Sequence, residues 1–418
     1  MEPTARPIRL PGCKSQSARA LVLAAVAEGR SELRGASDSQ DTAFLAAALE
    51  ELGAEIDRRE PGVLRIRGLG GPPRARGLRL DAGEAATNFR FLACLLAAGP
   101  TDVLLSGSPQ LLARPHQALF EFLATHGAGV RAEPDGVRIR GRGLAGGDWK
   151  PPAAVSSQFL SGLALAAGWS GEVRMKLPAR LPSEGYFDLT LDAIRAFRGQ
   201  DAARFEPSLS AAEGARILHL GPGSSAGRDW DILADASAAT FFLAAAAVRR
   251  RPADFHRPWA ARHPEAVLNR TWIQASGLLE VASSQTFLAT GAVPDAPLEI
   301  DLDPAPDAGP ALAVLAAALP AGIRFRGLEG LRIKESDRLA GMTALAEAAG
   351  GVHRTEPDCL LIQAGKGPSS PPGGQFDPRQ DHRLAMAAAV AGLEVTDPAC
   401  VAKSFPGFWR EWNAWSRP

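Results

Sequence analysis

Six Ala/Leu-rich segments of helical length recur along this chain with similar openings, and they limit its folding more than any other feature. They read "KSQSARALVLAAVAEG" from Lys14, "ATNFRFLACLLAAG" from Ala86, "SSQFLSGLALAAG" from Ser156, "DASAATFFLAAAAV" from Asp235, "PDAGPALAVLAAALP" from Pro306 and "DHRLAMAAAVAGL" from Asp381. Their starts lie about 70 to 80 residues apart, the length of a compact α/β unit and longer than the roughly 20 to 50 residues of a solenoid repeat. Each is apolar nearly all round after a polar opening, which predicts a buried helix whose N-terminus meets something polar. Alternating stretches lie between them, such as "GVLRIRGL", "GVRIRGRG", "ARILHLG" and "CLLIQAG", and predict strands. Amphipathic stretches ending in Gly, "DTAFLAAALEELGAEI" and "HQALFEFLATHGAGV", predict further helices. The expected architecture is α/β, six repeated sheet-and-helix units grouped in two lobes.

Composition narrows the function. Lys+Arg 46 balances Asp+Glu 46, so no global field attracts nucleic acid or anionic lipid, and any anion site must be built locally. The four cysteines, Cys13, Cys94, Cys359 and Cys400, are far apart and show no C-x-x-C pair, which fits a reducing compartment. The longest apolar runs, such as "FFLAAAAV", are too short to span a bilayer, and no apolar leader opens the sequence. The expectation is a cytoplasmic protein with no membrane partner. A G-x-x-x-x-G-K-[ST] loop, an H-E-x-x-H metal motif and a G-x-S-x-G elbow are all missing.

The polar openings concentrate cations. Lys14, Ser15 and Arg19 begin the first repeat, Thr87 and Arg90 the second, Ser156, Ser157 and Gln158 the third, Asp307 the fifth, and His382 and Arg383 the sixth. Free N–H groups and the positive dipole end make a buried helix N-terminus an anion site. Arg clamps carboxylate or phosphate with a planar fork, while Lys brings a compact charge and a transferable proton. Arg114, Ser183, Tyr186 and Lys403 fall between the repeats in polar stretches of the same kind. A single cation beside a helix is usually surface charge, and "SSQ" alone is an ordinary cap; the recurrence is what points to a multiply charged ligand.

"LRIKESDRLAG", from Leu331 to Gly341, packs Lys334, Glu335, Asp337 and Arg338 into five positions. Read alone, it is a solvated helix start with charge pairing. Beside the other cations it reads as proton-transfer groups set against an anion clamp.

Taken in order, these motifs resemble the enolpyruvyl transferase family. "LPGCKSQSARALVLAA" is similar to its opening signature P-G-S-K-S-x-S-x-R-A, and "LRIKESDRLAGM" to its second, K-E-[ST]-D-R. "ATNFRFL", "ARPHQAL", "SSQFLSGLALAA", "GYFDLTLDAIRAF", "PDAGPALAVLAAAL", "DHRLAMA" and "DPACVAKSFPGF" follow the family order from about residue 8 to residue 412. The resemblance implies two lobes of three units each, residues 1–13 with 235–418 and residues 14–234, with the active site in the cleft between them. It implies addition of the 5-hydroxyl of 3-phosphoshikimate to phosphoenolpyruvate and elimination of phosphate, in the shikimate pathway of aromatic amino acid biosynthesis. Lys14, Ser15, Arg19, Ser156, Ser157, Gln158, Ser183 and Tyr186 would contact 3-phosphoshikimate, with Asp307 and Lys334 at its reacting hydroxyl. Lys14, Arg114, Gln158, Arg338, Arg383 and Lys403 would hold phosphoenolpyruvate, beside Ala86. Catalysis would fall to Asp307, Lys334, Glu335 and Lys14, with Asp337 structural. No cofactor, metal or nucleic acid is implied, and the expected state is a monomer.

Three departures stand out. Where the family reads A-G-T-x-x-R, this chain has Ala86 in place of Gly, within Ala85-Ala86-Thr87-Asn88-Phe89-Arg90. The added methyl is expected to lower sensitivity to the inhibitor glyphosate. Cys13 replaces a Ser and brings an expected oxidation or alkylation liability. Residues 250–282 match poorly, leaving their local structure open. The sister activity on UDP-N-acetylglucosamine is disfavoured by Lys14-Ser15, where that family has Lys-Asn. A non-catalytic anion-binding relative would lose Asp307, Lys334 and Glu335, which are all present.

Overall fold

The computed structural model describes residues 6–152, 156–206, 216–356, 358–365 and 374–417, and the chain divides into two compact units. One comprises Met1–Pro11 and Leu233–Pro418, the other Gly12–Ile232.

In the Gly12–Ile232 unit, three four-stranded sheets surround helices Lys14–Val26, Ala86–Ala98 and Ser157–Ala166. The second sheet shows the plan. Strands Ala75–Asp81 and Thr101–Ser106 pair in parallel, and the connection between them is the Ala86 helix. Parallel neighbours need such a crossover, and here it carries the apolar run. Thr101–Ser106 then pairs antiparallel with Gly136–Arg140, which forms a hairpin with Gly129–Glu133. The third sheet repeats this, the Ser157 helix crossing between Gly147–Trp149 and Val173–Leu177. The first runs Asp229–Asp231, Arg30–Arg34, Val63–Arg67, Glu55–Asp57.

The other unit uses the same plan. Helix Gly309–Ala318 crosses between the parallel strands Leu298–Asp301 and Ile323–Arg326, and helix His382–Ala391 between Gln375–Phe376 and Glu394–Val395. Helix Ala236–Arg249 leads to a three-stranded sheet of Ala253–Asp254, Thr286–Ala289 and Leu279–Val281. Residues 250–282, whose local structure the sequence left open, form two of those strands and helix Pro264–Ser276.

Burial follows the sequence pattern. From Ala20 to Val26 and from Leu92 to Ala98 every side chain is buried, and Gly309–Ala317 is buried throughout. On the sheets Leu33, Leu64 and Ile66 face inward while Arg34 and Arg65 point out, 2.7 Å from Asp231 and 2.8 Å from Glu32. That alternation is the signature of a sheet with one solvated face. Two glycines allow close helix approach. A Cβ on Gly162 would sit 2.8 Å from Cys94 Sγ on the Ala86 helix, and one on Gly341 would sit 2.6 Å from Leu384 on the His382 helix.

Candidate active site

Polar residues from the helix openings pair with one another within each unit, and the two sets of pairings are built differently. In the Gly12–Ile232 unit, Lys14 is the first residue of its helix and its Nζ lies 2.7 Å from Asp41 Oδ2. Asp41 sits in the first turn of helix Gln40–Glu51, which Ser39 caps through Thr42 N, and the Asp41 carbonyl accepts from Asn88 Nδ2 at 2.7 Å. Lys14, Ser15, Asp41, Thr87 and Asn88 line one small pocket.

Arg19 lies one turn further along and is buried. It donates to Thr190 Oγ1 at 2.7 Å, to the Ser15 carbonyl at 2.7 Å, to the Tyr186 carbonyl at 2.8 Å and to Ser161 Oγ at 3.3 Å. All four acceptors are neutral, and burial brings the guanidinium down to about 10, still cationic at neutral pH. Arg90 is held in the same manner. It donates to Gln158 Oε1 at 2.7 Å, the Pro115 carbonyl at 3.0 Å, Ser156 Oγ at 3.2 Å and His116 Nδ1 at 3.4 Å. His116 is pulled down to about 4 by burial and by Arg90, so it is neutral, with Nε2–H directed at the Leu111 carbonyl 2.9 Å away.

Ser156 caps the Ser157 helix through Gln158 N. Ser183 precedes helix Glu184–Arg198 with φ 53 and ψ 42, a left-handed conformation that strains a serine, and Tyr186 lies in the first turn of that helix. Arg114 is half-buried between helices Pro109–Leu112 and Gln117–Thr125. Ala86 opens its helix fully buried. Cys13, expected as an oxidation liability, is 1 % exposed, so burial closes it to reagents.

In the other unit the cations meet carboxylates. Arg338, 1 % exposed, donates to Asp381 Oδ2 at 2.8 Å, Asp307 Oδ1 at 2.6 Å and Glu335 Oε2 at 2.5 Å. Arg383 reaches Asp307 Oδ2 at 2.6 Å. The charge run is therefore not the solvated helix start that its sequence alone suggested. Asp337 does cap the helix Arg338–Ala348, through Ala340 N, which leaves Arg338 to turn inward. Burial works against the Asp307 charge, yet Arg383, Arg338 and Lys334 hold its carboxyl far below the usual carboxylate range. Burial likewise opposes the Arg338 charge, and Asp381, Glu335 and Asp307 raise its pKa well above the ordinary value. Lys403 is buried at the end of the turn Pro398–Lys403, which packs against the His382 helix.

A sequence model of the EPSP synthase (3-phosphoshikimate 1-carboxyvinyltransferase) family matches residues 2–412. The chain belongs to this family. It is 34 % identical over 427 residues to the 3-phosphoshikimate 1-carboxyvinyltransferase of Syntrophobacter fumaroxidans, covering 96 % of this chain and 95 % of that one. It is 33 % identical to that of Edwardsiella ictaluri, covering 98 % and 96 %. Among solved structures, EPSP synthase of Acinetobacter baumannii aligns with a TM-score of 0.73 at 25 % identity, over 99 % of this chain and 97 % of that one. The enolpyruvyl transferase NikO of Streptomyces tendae shares the fold at a TM-score of 0.73 and 18 % identity, over 98 % and 94 %.

Within this EPSP synthase framework, sequence reasoning passed over Asp41 and Asp381. Each is an acid at a helix start, a pattern that reads as capping whether the residue is exposed or buried. Asp381 does cap the His382 helix, through Arg383 N, but it is 0 % exposed and also accepts from Ser336 and Arg338. A cap next to "HR" and a second charged run elsewhere was the available signal, and it was ambiguous.

Proposed function

We propose that the two clusters divide one reaction between them: cations with neutral partners bind the phosphorylated ring, and cations with carboxylate partners bind phosphoenolpyruvate and move protons. The chain transfers the enolpyruvyl group of phosphoenolpyruvate to the 5-hydroxyl of 3-phosphoshikimate and releases phosphate, the shikimate-pathway step of its family.

In our assignment Lys14, Ser15, Arg19, Ser156, Ser157, Gln158, Ser183 and Tyr186 hold 3-phosphoshikimate, and the unit of residues 14–234 is its side. Phosphoenolpyruvate takes Arg338, Arg383 and Lys403 from residues 235–418, with Lys14, Arg114 and Gln158. In the addition, Asp307 with Lys334 removes the hydroxyl proton as the oxygen bonds to C2, and Glu335 delivers a proton to C3. In the elimination the same C3 position returns a proton to Glu335, the C2–O bond to phosphate breaks, the proton taken from the hydroxyl passes to the leaving phosphate, and Lys14 offsets the remaining charge on that group. General acid–base steps of this kind contribute about 10²–10⁴-fold.

The observation that carries this reading is the meeting of Asp307 and Glu335 on one buried Arg338, at 2.6 and 2.5 Å, in a chain of this family. Two carboxylates with the proposed proton roles sit on the proposed anion clamp. We place the enzyme in the cytoplasm as a monomer, without metal or cofactor; the four free cysteines support a reducing compartment. Phosphate release from the purified protein in metal-free buffer tests the reading. Release that requires both substrates is expected. Binding of 3-phosphoshikimate without any release would mark a non-catalytic anion-binding relative instead.

A further inference from the structure

Asp381 has no role in the assignment above, yet it is the most fully enclosed acid of the second cluster, at 0 % exposure. Four donors converge on it. Arg338 Nε reaches Oδ2 at 2.8 Å and Nη2 reaches Oδ1 at 3.4 Å; Ser336 Oγ reaches Oδ2 at 3.0 Å; the backbone N–H of Arg383 reaches Oδ1 at 2.9 Å. One carboxylate thus ties the side chain of one arginine, the backbone of the other and the loop carrying Lys334 and Glu335. Its position is set by the start of the His382 helix, which Gly341 allows to approach the Arg338 helix closely.

The other two carboxylates on this pair are less enclosed. Asp307 is 20 % and Glu335 15 % exposed at the side chain; Asp307 takes Nη1 of Arg338 and an Nη of Arg383, and Glu335 takes the Arg338 Nη2 at 2.5 Å, closer than that atom's 3.4 Å contact with Asp381. A bidentate arginine offers an anion its Nη edge, while an Nε engaged by a buried carboxylate fixes the plane of the fork. We infer that Asp381 is a positioning residue that stays on Arg338 Nε throughout the reaction, while the substrate carboxylate displaces Asp307 and Glu335 from the arginine forks and frees them for proton transfer.

This inference rests on the assignment of Arg338 and Arg383 to phosphoenolpyruvate, and its test separates the two. Asp381→Asn and Asp381→Ser both retain helix-capping ability while removing the charge. Each is expected to weaken phosphoenolpyruvate binding by at least about 30-fold, the effect of truncating one partner of a buried charge pair. Affinity for 3-phosphoshikimate should stay within about threefold, because its proposed contacts lie mainly elsewhere. A purely structural role would lower the melting temperature and weaken both ligands together, and that result overturns the inference, as does unchanged phosphoenolpyruvate affinity in folded variants.

A second measurement uses the unmodified enzyme, so the question survives even if neither variant folds. In arginine-selective NMR with 3-phosphoshikimate present, adding phosphoenolpyruvate should shift the Arg338 Nη signals and leave a slowly exchanging Nε–H signal in place. An Nε–H signal that shifts or exchanges rapidly would overturn the anchor. Nη signals that do not respond at all would instead remove Arg338 from the phosphoenolpyruvate site.

Discussion

Arg19 and Arg338 are both arginines buried at polar helix openings, and their surroundings are opposite in charge. Arg19 is ringed by two hydroxyls and two carbonyls, and Arg90 donates to a hydroxyl, an amide oxygen, a carbonyl and a neutral imidazole. Arg338 meets Asp307, Glu335 and Asp381, and Arg383 meets Asp307. A neutral shell fixes the direction of a guanidinium without cancelling its charge, which suits a ligand that keeps its phosphate charge throughout. A carboxylate shell cancels the charge until a competing anion arrives, and the released carboxylates then become proton carriers. Lys14, paired with Asp41, follows the second pattern within the first cluster, and it is the residue to which we assign a charge-balancing role in the chemistry.

The sharpest way to break this contrast is to neutralise a proton carrier without changing its shape. Glu335→Gln should lower turnover by about 10²–10⁴-fold, with 3-phosphoshikimate binding within about threefold and phosphoenolpyruvate binding no weaker, since the amide competes less for Arg338. Single-turnover phosphate release, with calorimetric titration of each substrate, checks it. A variant that turns over at near-normal rate would remove the carbon-proton role from Glu335.

The two shells also differ in what a missing arginine leaves behind. Arg338→Met would leave Asp381 charged and fully enclosed, a loss of about 3–5 kcal/mol in stability. Arg19→Met would leave hydroxyls and carbonyls, of which Thr190 and Ser161 already bond each other at 2.7 Å, and should cost about 1–3 kcal/mol. Denaturant unfolding of the two variants measures the difference, and equal losses would mean that the carboxylate shell does not set the energetics.

Acid titration separates the clusters next. His116 falls from 6.5 unfolded to about 4 folded, through burial and Arg90. A base depressed on folding binds more protons when unfolded, so its stabilisation is complete above pH 6.5 and is lost as pH falls toward 4. Stability should therefore decline across that window, and His116→Gln should flatten the decline. Asp307, held far below the usual carboxylate range, contributes fully above the ordinary carboxyl pKa of about 3.9. Its share is lost only in stronger acid, so Asp307→Asn should leave the slope between pH 6.5 and 4 as it was.

How far all this was legible depends on the kind of signal. The buried helices announce themselves because an all-apolar run has one stable environment, and "GVLRIRGL" announces a one-faced sheet because its period is two. The openings of those helices put Lys14, Ser156 and Arg383 at helix starts, since a polar residue before an apolar run marks its end, and Arg19 within the first turns. Partners were hidden. Arg90 draws its acceptors from residues 115, 116, 156 and 158, and nothing local in "ATNFRF" anticipates them. The spacing of Glu335 and Arg338 was visible, but the turn that buries their pairing depends on Asp381, 43 residues away in sequence.

The finest distinction concerns one methyl group. Ala86 is 2 % exposed at the first position of its helix, next to Thr87 and Asn88, which line the pocket of Lys14 and Asp41. Its N-cap, Ala85, offers no side-chain acceptor, so neither residue is held there by capping, and the consequence of Ala86 lies in volume. Ala86→Gly should cost under about 1 kcal/mol in stability, the helix-propensity difference. It should tighten inhibition by glyphosate by about tenfold or more, the scale at which a pocket discriminates by one carbon, while changing KM for phosphoenolpyruvate much less. Inhibition constants for the two proteins, measured in competition with phosphoenolpyruvate, decide it. Equal constants would show that the methyl group lies outside the inhibitor's reach; parallel changes in inhibitor and substrate would show that it shapes the substrate pocket as a whole.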